Sequence, residues 1–191
     1  MDPAVAAFVG SCVLRYHGSH SLIFSRDKIV RLGRSKVSGW CGDTVLKVAT
    51  GCSLEHWLGV LCHETCHIDQ VRADKKWFAR CEDSLTRLDA WLEGKPPARV
   101  RQATLDAIRL EHDCEKRSLA KIRRHRLPID ISTYTQKANA YLIGYHVTLK
   151  DRKWCFRAYR DKGVYGRMPT RLLPLDAVLN PPRPLLALFQ S

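Results

Sequence analysis

The chain has 191 residues, a length at which one domain with its own hydrophobic core is the simplest organisation. Hydrophobic residues make up 45% of it, which argues against a disordered chain, and no apolar stretch is long enough to cross a membrane. Lys and Arg total 32 against 19 Asp and Glu, so the net charge is +13, which favours acidic or nucleic-acid-bound partners.

The N-terminal residues lack the features of a secretory signal, because Asp2 is acidic and the apolar run after it is short. We therefore expect a cytoplasmic protein whose eight cysteines are free thiols. Chain size and cysteine use also fit a bacterial or phage protein.

Residues 37–49 have the pattern of a strand, a turn and a second strand. Cys41, Gly42 and Asp43 form the expected turn, and the β-branched Val45 and Val48 favour a strand after it. We expect a small N-terminal β-sheet built from parts of residues 11–50, followed by three or four helices. The predicted fold class is therefore α+β.

A helix is predicted directly after these strands. Ser53 is a good N-cap residue and Glu55 lies in the first turn. Apolar residues then recur at helical spacing, at Leu54, Trp57, Leu58 and Leu61. The helical pattern continues to about residue 93, and the sequence His63-Glu64-Thr65-Cys66-His67 lies two turns inside it.

These five residues have the form H-E-x-x-H. Residues four apart lie on one face of a helix, so His63 and His67 can bind one zinc ion from the same side. Zinc acidifies a water molecule, and Glu64 is placed to act as general base and then as general acid. The alternative is a pair of inert, hydrogen-bonded histidines on a half-buried helix.

A strand that leads directly into an H-E-x-x-H helix resembles the zincin metallopeptidases, over roughly residues 37–126. The resemblance implies one zinc ion and hydrolysis of a peptide bond. It also implies that the strand edges the active-site cleft, where an extended peptide substrate pairs with it. The metzincin branch is excluded, because residues 68–73 contain neither the glycine nor the third histidine of its motif.

The other large zincin branch takes a glutamate ligand from a later helix. Residues 103–125 are the best candidate, with apolar residues at helical spacing (Leu105, Ile108, Cys114, Leu119 and Ile122). The gluzincin-type pattern implies Glu111 as third ligand and Glu115 as the acidic residue that orients a ligand histidine. Spacing alone does not exclude Glu115 or His112 as the third ligand. The alternative explanation of this acidic cluster is a solvated turn of the helix that binds no metal.

Amide hydrolysis also needs a hydrogen-bond donor that stabilises the negative charge developing on the carbonyl oxygen. Residues 134–146 are predicted to form one more helix, on which Tyr141 and Tyr145 share a face. Either hydroxyl is a candidate for this role, and plain aromatic packing is the alternative.

Positive charge clusters in the second half of the Glu111 helix and in a basic C-terminal segment, about residues 147–191. Aromatic residues are interleaved with the second group, a composition that suits a phosphate backbone and stacked bases. The candidate nucleic-acid contacts are Lys121, Arg123, Arg124, Arg126, Lys153 and Arg157. A basic solvated surface explains them equally well.

The sequence therefore predicts a zinc-dependent hydrolase, most simply a metallopeptidase, in which His63, His67 and Glu111 bind the metal. Its expected partners are a protein or peptide substrate and, through the basic surface, nucleic acid. One rival is a nucleic-acid-binding module with a structural zinc, marked by a fourth ligand such as Cys66, His112 or Glu115. The other is a non-catalytic interaction protein on a zincin scaffold. Oligomeric state does not follow from the sequence.

Overall fold

The computed structural model describes residues 2–32, 35–96 and 98–190. The fold is α+β, with a small N-terminal sheet region and a mostly helical remainder, which confirms the predicted class. The chain divides into two compact units. The first comprises Met1–Ala73 and Arg117–Asp130, and the second comprises Asp74–Lys116 and Ile131–Ser191. The assignment of all 191 residues to one zincin-like domain stays a prediction.

The first unit contains the strands. They are β1 (Ser21–Ser25), β2 (Val30–Leu32), β3 (Ser35–Val37), β4 (Gly39–Cys41) and β5 (Val45–Ala49). One sheet has the order β1-β5-β4, with β1 parallel and β4 antiparallel to β5. Strands β2 and β3 form a separate antiparallel pair. Strand β4 is therefore an edge of the three-stranded sheet.

Strands β4 and β5 confirm the predicted strand-turn-strand, except that Cys41, expected in the turn, is the last residue of β4. In the connecting turn the Gly42 N–H donates to the Val45 carbonyl at 2.8 Å. Leu46, Val48 and Ala49 of β5 are fully buried, as expected for the middle strand of a sheet that packs against helices.

The N-terminal helix α1 (Pro3–Tyr16) differs from the prediction, in which the sheet region reached back to residue 11. Asp2 caps the helix by accepting a hydrogen bond from the Ala4 N–H at 2.8 Å. Four residues at helical spacing are buried: Val5, Phe8, Cys12 and Tyr16. The first strand begins only at Ser21 because residues 17–20 form the turn after α1.

Helix α2 (Leu54–Ala73) carries the H-E-x-x-H residues, and Ser53 precedes it as predicted. The Ser53 hydroxyl accepts a hydrogen bond from the His56 N–H at 3.4 Å. The helical pattern predicted to about residue 93 is interrupted, because Asp74 is extended and caps a new helix, α3 (Lys75–Leu92). Its carboxylate accepts from the Trp77 N–H at 2.9 Å.

Helix α4 (Val100–Arg124) is the predicted glutamate-bearing helix, and α5 (Ile131–Asp151) is the predicted tyrosine-bearing helix. Four short helices follow: α6 (Arg157–Arg160), α7 (Lys162–Tyr165), α8 (Leu175–Leu179) and α9 (Arg183–Ala187). The core of the second unit brings these elements together and includes Leu88, Ile108, Leu142, Tyr145 and Phe189. Leu188 and Phe189 are buried in this core.

None of the helices in the described parts of the chain combines the length and the apolar character that crossing a membrane requires.

Candidate metal centre

His63 and His67 lie one turn apart on the same face of α2, as their spacing predicts. Both rings are half-buried and are nearly perpendicular, with centroids 4.8 Å apart and an interplanar angle of 84°. Their Nε2 atoms approach to 3.1 Å. The two nitrogens therefore converge on one point beside the helix.

Gln70 contacts the second of these histidines from the next turn of α2. Its Oε1 lies 2.8 Å from Nδ1 of His67, and the Gln70 side chain is buried, with 1% of its surface exposed. An amide oxygen only accepts hydrogen bonds, so Nδ1 of His67 is the donor. Gln70 is not among the site residues predicted from the sequence, although its position three residues after His67 places it on the same helix face.

Glu64 lies beside the edge strand. A Cβ atom added at Gly39 of β4 would overlap Val60 and would lie 2.9 Å from the Oε1 of Glu64. Only glycine permits this approach of the strand to α2, because any other residue places a side chain in the same space. The carboxylate of Glu64 is therefore placed next to the backbone of the edge strand.

Helix α4 contributes a buried acidic face in the second unit. Glu111 and Glu115 are 4% and 6% exposed, and Cys114 between them is fully buried. The Tyr134 hydroxyl donates to Oε2 of Glu115 at 2.8 Å. Nε2 of His112 lies 2.8 Å from the Leu173 carbonyl oxygen. The orienting role of Glu115 toward a histidine stays a prediction.

Four side chains form a group that can hold a metal ion: His63, His67, Glu111 and Cys114. One ligand atom from each lies within 4.8 Å of the others. The structure therefore brings together the three predicted ligands and adds Cys114. In the part of the chain that the structure describes, Glu115, His112 and Cys66 are not members of this group.

The donor set fits zinc. Zinc binds imidazole nitrogen, carboxylate oxygen and thiolate sulfur, and its four-coordinate sites are tetrahedral. Two nitrogens at about 2.0–2.1 Å from a tetrahedral ion stand about 3.3 Å apart, and the Nε2 atoms of His63 and His67 are already 3.1 Å apart. The spacing of these two nitrogens therefore fits a shared ion.

Cys114 is the group member that sequence reasoning missed. It was counted in the apolar stripe of the helix, which its burial supports. Its spacing from Glu111 is three residues, which places both on one face of α4. That spacing is the signal that could have identified it, since a thiolate and a carboxylate one turn apart can serve the same ion.

Tyr141 and Tyr145 lie one turn apart on α5, and their hydroxyl oxygens are 3.0 Å apart. Burial, followed by the nearby Glu111 carboxylate, raises the pKa of both phenols well above the ordinary value. Both side chains therefore stay protonated and can donate a hydrogen bond at neutral pH. Their role in stabilising an oxyanion stays a prediction.

The predicted nucleic-acid contacts divide between the two units. In the first unit Arg123, Arg124 and Arg126 are exposed, whereas Lys121 points inward. Its Nζ lies 2.9 Å from Oδ2 of Asp69 and 2.9 Å from Oγ1 of Thr65. This ion pair makes Lys121 a poor phosphate ligand.

In the second unit Lys153 and Arg157 are exposed, and Arg157 pairs with Asp161 at 2.9 Å. Exposed, solvated ion pairs of this kind contribute little to stability, so Arg157 can exchange its partner. For the exposed residues of both units, nucleic-acid contact stays a prediction.

Comparison of the chain with protein-family models, with curated proteins and with solved structures gives no match.

Proposed function

We propose that this protein is a zinc-dependent hydrolase that cleaves peptide bonds. The observation that carries the proposal is the metal-binding group of His63, His67, Glu111 and Cys114, with Glu64 next to the first histidine. The H-E-x-x-H spacing and the edge strand before it resemble the zincin metallopeptidases, and both agree with the proposal.

His63, His67 and Glu111 are the proposed zinc ligands. Zinc bound there lowers the pKa of a water molecule toward neutrality and polarises the substrate carbonyl. Three protein ligands are the usual number in a catalytic zinc site, since a fourth position must remain for water or substrate. The burial of Glu111 favours this role, because a buried carboxylate is stable only when a cation or hydrogen bonds compensate it.

Glu64 is the proposed general base. Its neighbour His63 is a proposed ligand, and in the H-E-x-x-H pattern the carboxylate at this position would act on the reacting water. It accepts the proton of that water and passes it to the leaving amine. The contact with Gly39 places this carboxylate beside the edge strand, where a substrate backbone would lie.

The edge position of β4 favours a peptide as substrate. An extended peptide can add a strand to a free sheet edge through backbone hydrogen bonds, which do not depend on its sequence. A peptide held along β4 would pass next to Glu64. The net charge of +13 favours acidic substrates or proteins bound to nucleic acid, and the cysteine composition agrees with a cytoplasmic location.

The first test is the metal content of the untagged protein, measured by mass spectrometry together with the His63→Ala and Glu111→Ala variants. We expect about one zinc per chain in the wild type and a loss in both variants, because each removes a ligand. Glu64→Gln is the matched control and keeps its zinc. Absence of zinc from the reconstituted wild-type protein would sink the proposal.

A second candidate function follows from Cys114. Four protein ligands close a zinc site, and closed sites are structural, as in a nucleic-acid-binding module. X-ray absorption at the zinc edge distinguishes the two candidates. A zinc–sulfur distance of about 2.3 Å that disappears in Cys114→Ser, together with indifference of all measured properties to Glu64→Gln, would favour the structural site.

A further inference from the structure

Gln70 is a buried amide for which the proposed chemistry has so far given no role. It lies on α2 one turn beyond His67, and only 1% of its surface is exposed. A glutamine is usually found at the protein surface, and a buried one is held by specific hydrogen bonds. Its contact with His67 is one of these.

That contact determines which ring nitrogen of His67 carries the proton. Oε1 of Gln70 lies 2.8 Å from Nδ1 and can only accept. A neutral imidazole has one N–H, so donation from Nδ1 leaves Nε2 with a lone pair. Nε2 is the atom that faces Nε2 of His63 at 3.1 Å. The lone pair of His67 therefore points to the place where the metal-binding group converges.

The residue next to Gln70 in the chain makes different contacts. The Asp69 carboxylate bonds to Tyr16, Arg15 and Lys121, at 3.1, 3.0 and 2.9 Å. These bonds hold α1 and the end of α4 against α2, so they are structural. Gln70, by contrast, contacts His67.

We infer that Gln70 is a positioning residue that fixes His67 in the Nδ1–H tautomer and presents its Nε2 to a metal ion before the ion arrives. The role in metal binding rests on the proposed function, whereas the tautomer itself does not. Outer hydrogen-bond partners of this kind fix the ring orientation of a ligand histidine and raise its basicity.

The tautomer is measured by ¹⁵N NMR of the imidazole nitrogens in the metal-free protein, at a pH where the rings are neutral. The His67 signals are assigned with a His67→Asn variant. We expect a protonated Nδ1 and an unprotonated Nε2 in the wild type. A wild-type His67 protonated at Nε2 would overturn the inference without any variant.

Two substitutions then test the amide oxygen. Gln70→Leu keeps the approximate size and removes the acceptor, and Gln70→Glu keeps an acceptor in its place. We expect Gln70→Leu to mix the His67 tautomers and to weaken zinc binding about 10–100-fold in competition with a chelator. Gln70→Glu keeps the wild-type tautomer and does not weaken zinc binding. Gln102→Leu, at an exposed position on α4, is the matched control and changes neither.

An unchanged tautomer and an unchanged zinc affinity in folded Gln70→Leu would overturn the inference. Thermal unfolding establishes whether that variant is folded. If it is not, Gln70→Glu decides, because loss of the Nδ1–H tautomer in a folded protein that keeps the acceptor contradicts the role. A wild-type protein that binds no zinc refutes the proposed function, and the tautomer then tests the inference alone.

Discussion

Helix α2 takes part in two polar clusters within the first unit, and they are built from opposite chemistry. The ion cluster consists of Asp69, Lys121 and Tyr16, in which Nζ of the lysine lies 2.9 Å from the Asp69 carboxylate. The histidine cluster consists of His63, His67 and Gln70, in which two ring nitrogens of the same type approach to 3.1 Å. An anion and a cation satisfy one another, whereas two imidazole nitrogens at this distance need a proton or a metal ion between them.

The directions of the pKa shifts in the ion cluster also show that its charges compensate one another. Burial alone would raise the pKa of Asp69 and lower that of Lys121. Hydrogen bonding and charge attraction outweigh burial for both, so the pKa of Asp69 is lowered and that of Lys121 is raised. Both groups therefore stay charged in the folded protein. A cluster whose charges compensate internally indicates a structural role, and the histidine cluster indicates a binding role.

The largest effect is expected from Glu64→Gln, which leaves both clusters intact and removes the proposed base. Hydrolysis of a peptide substrate should fall about 10²–10⁴-fold, while zinc content and thermal stability stay unchanged. The rate is measured with a fluorogenic peptide mixture, and Glu55→Gln on the exposed first turn of α2 is the control. If Glu64→Gln hydrolysed the peptide at the wild-type rate, Glu64 would not be the base, and the histidine cluster would lose its proposed catalytic role.

The next effect belongs to the ion cluster. Lys121→Met removes the buried cationic partner of Asp69, whose side chain is 14% exposed, and leaves the carboxylate with the exposed Arg15 and the Tyr16 hydroxyl. Loss of one member of a buried pair costs about 3–5 kcal/mol in the free energy of unfolding, measured by urea denaturation. Zinc content should not change in protein that remains folded.

The double variant Lys121→Met with Asp69→Asn completes this test. It should recover part of the lost stability, because the asparagine that replaces Asp69 no longer carries the buried charge that Lys121 compensated. Arg124→Met, at an exposed position one turn further along α4, is the control and should leave stability nearly unchanged. Equal stability losses in the two single Met variants would contradict a structural ion pair.

Gly39→Ala tests the close approach of the edge strand β4 to Glu64. The added methyl group overlaps Val60 and approaches Glu64, and overpacking of this kind costs about 1–3 kcal/mol in the free energy of unfolding. Peptide hydrolysis should fall as well, because the Glu64 carboxylate is displaced. Gly10→Ala, at an open position on α1, is the control. Full activity in Gly39→Ala would show that the position of Glu64 is not set by this contact.

The smallest effect is on acid stability. The lowered pKa of Asp69 means that its stabilising contribution is complete above the ordinary carboxyl value of about 3.9 and is lost as the pH falls through the lowered folded-state value. The stability of Asp69→Asn should therefore approach that of the wild type below about pH 4. Urea denaturation at several acidic pH values measures this convergence. A stability difference between the two proteins that is independent of pH would contradict it.

The sequence by itself determined the local elements. Turn residues, β-branched residues and an N-cap serine fix the strands β4 and β5 and the start of α2, because these signals act through backbone hydrogen bonds between near neighbours. Helical spacing likewise places His63 with His67, and Glu111 with Cys114, on common faces. Helix α1 and the break at Asp74 were not predicted, although Asp2 and buried residues at helical spacing are present in the sequence of α1.

Only the tertiary structure decided what each polar residue contacts. Spacing gave no means to choose among Glu111, Glu115 and His112 as third ligand, and it placed Cys114 in the apolar stripe. The clustering of positive charge placed Lys121 among the predicted phosphate contacts. The structure places Cys114 in the metal-binding group, Lys121 against Asp69, and Gly39 against Glu64. These contacts join segments far apart in the chain, and the packing that selects them depends on side-chain shape and charge in three dimensions rather than on sequence periodicity.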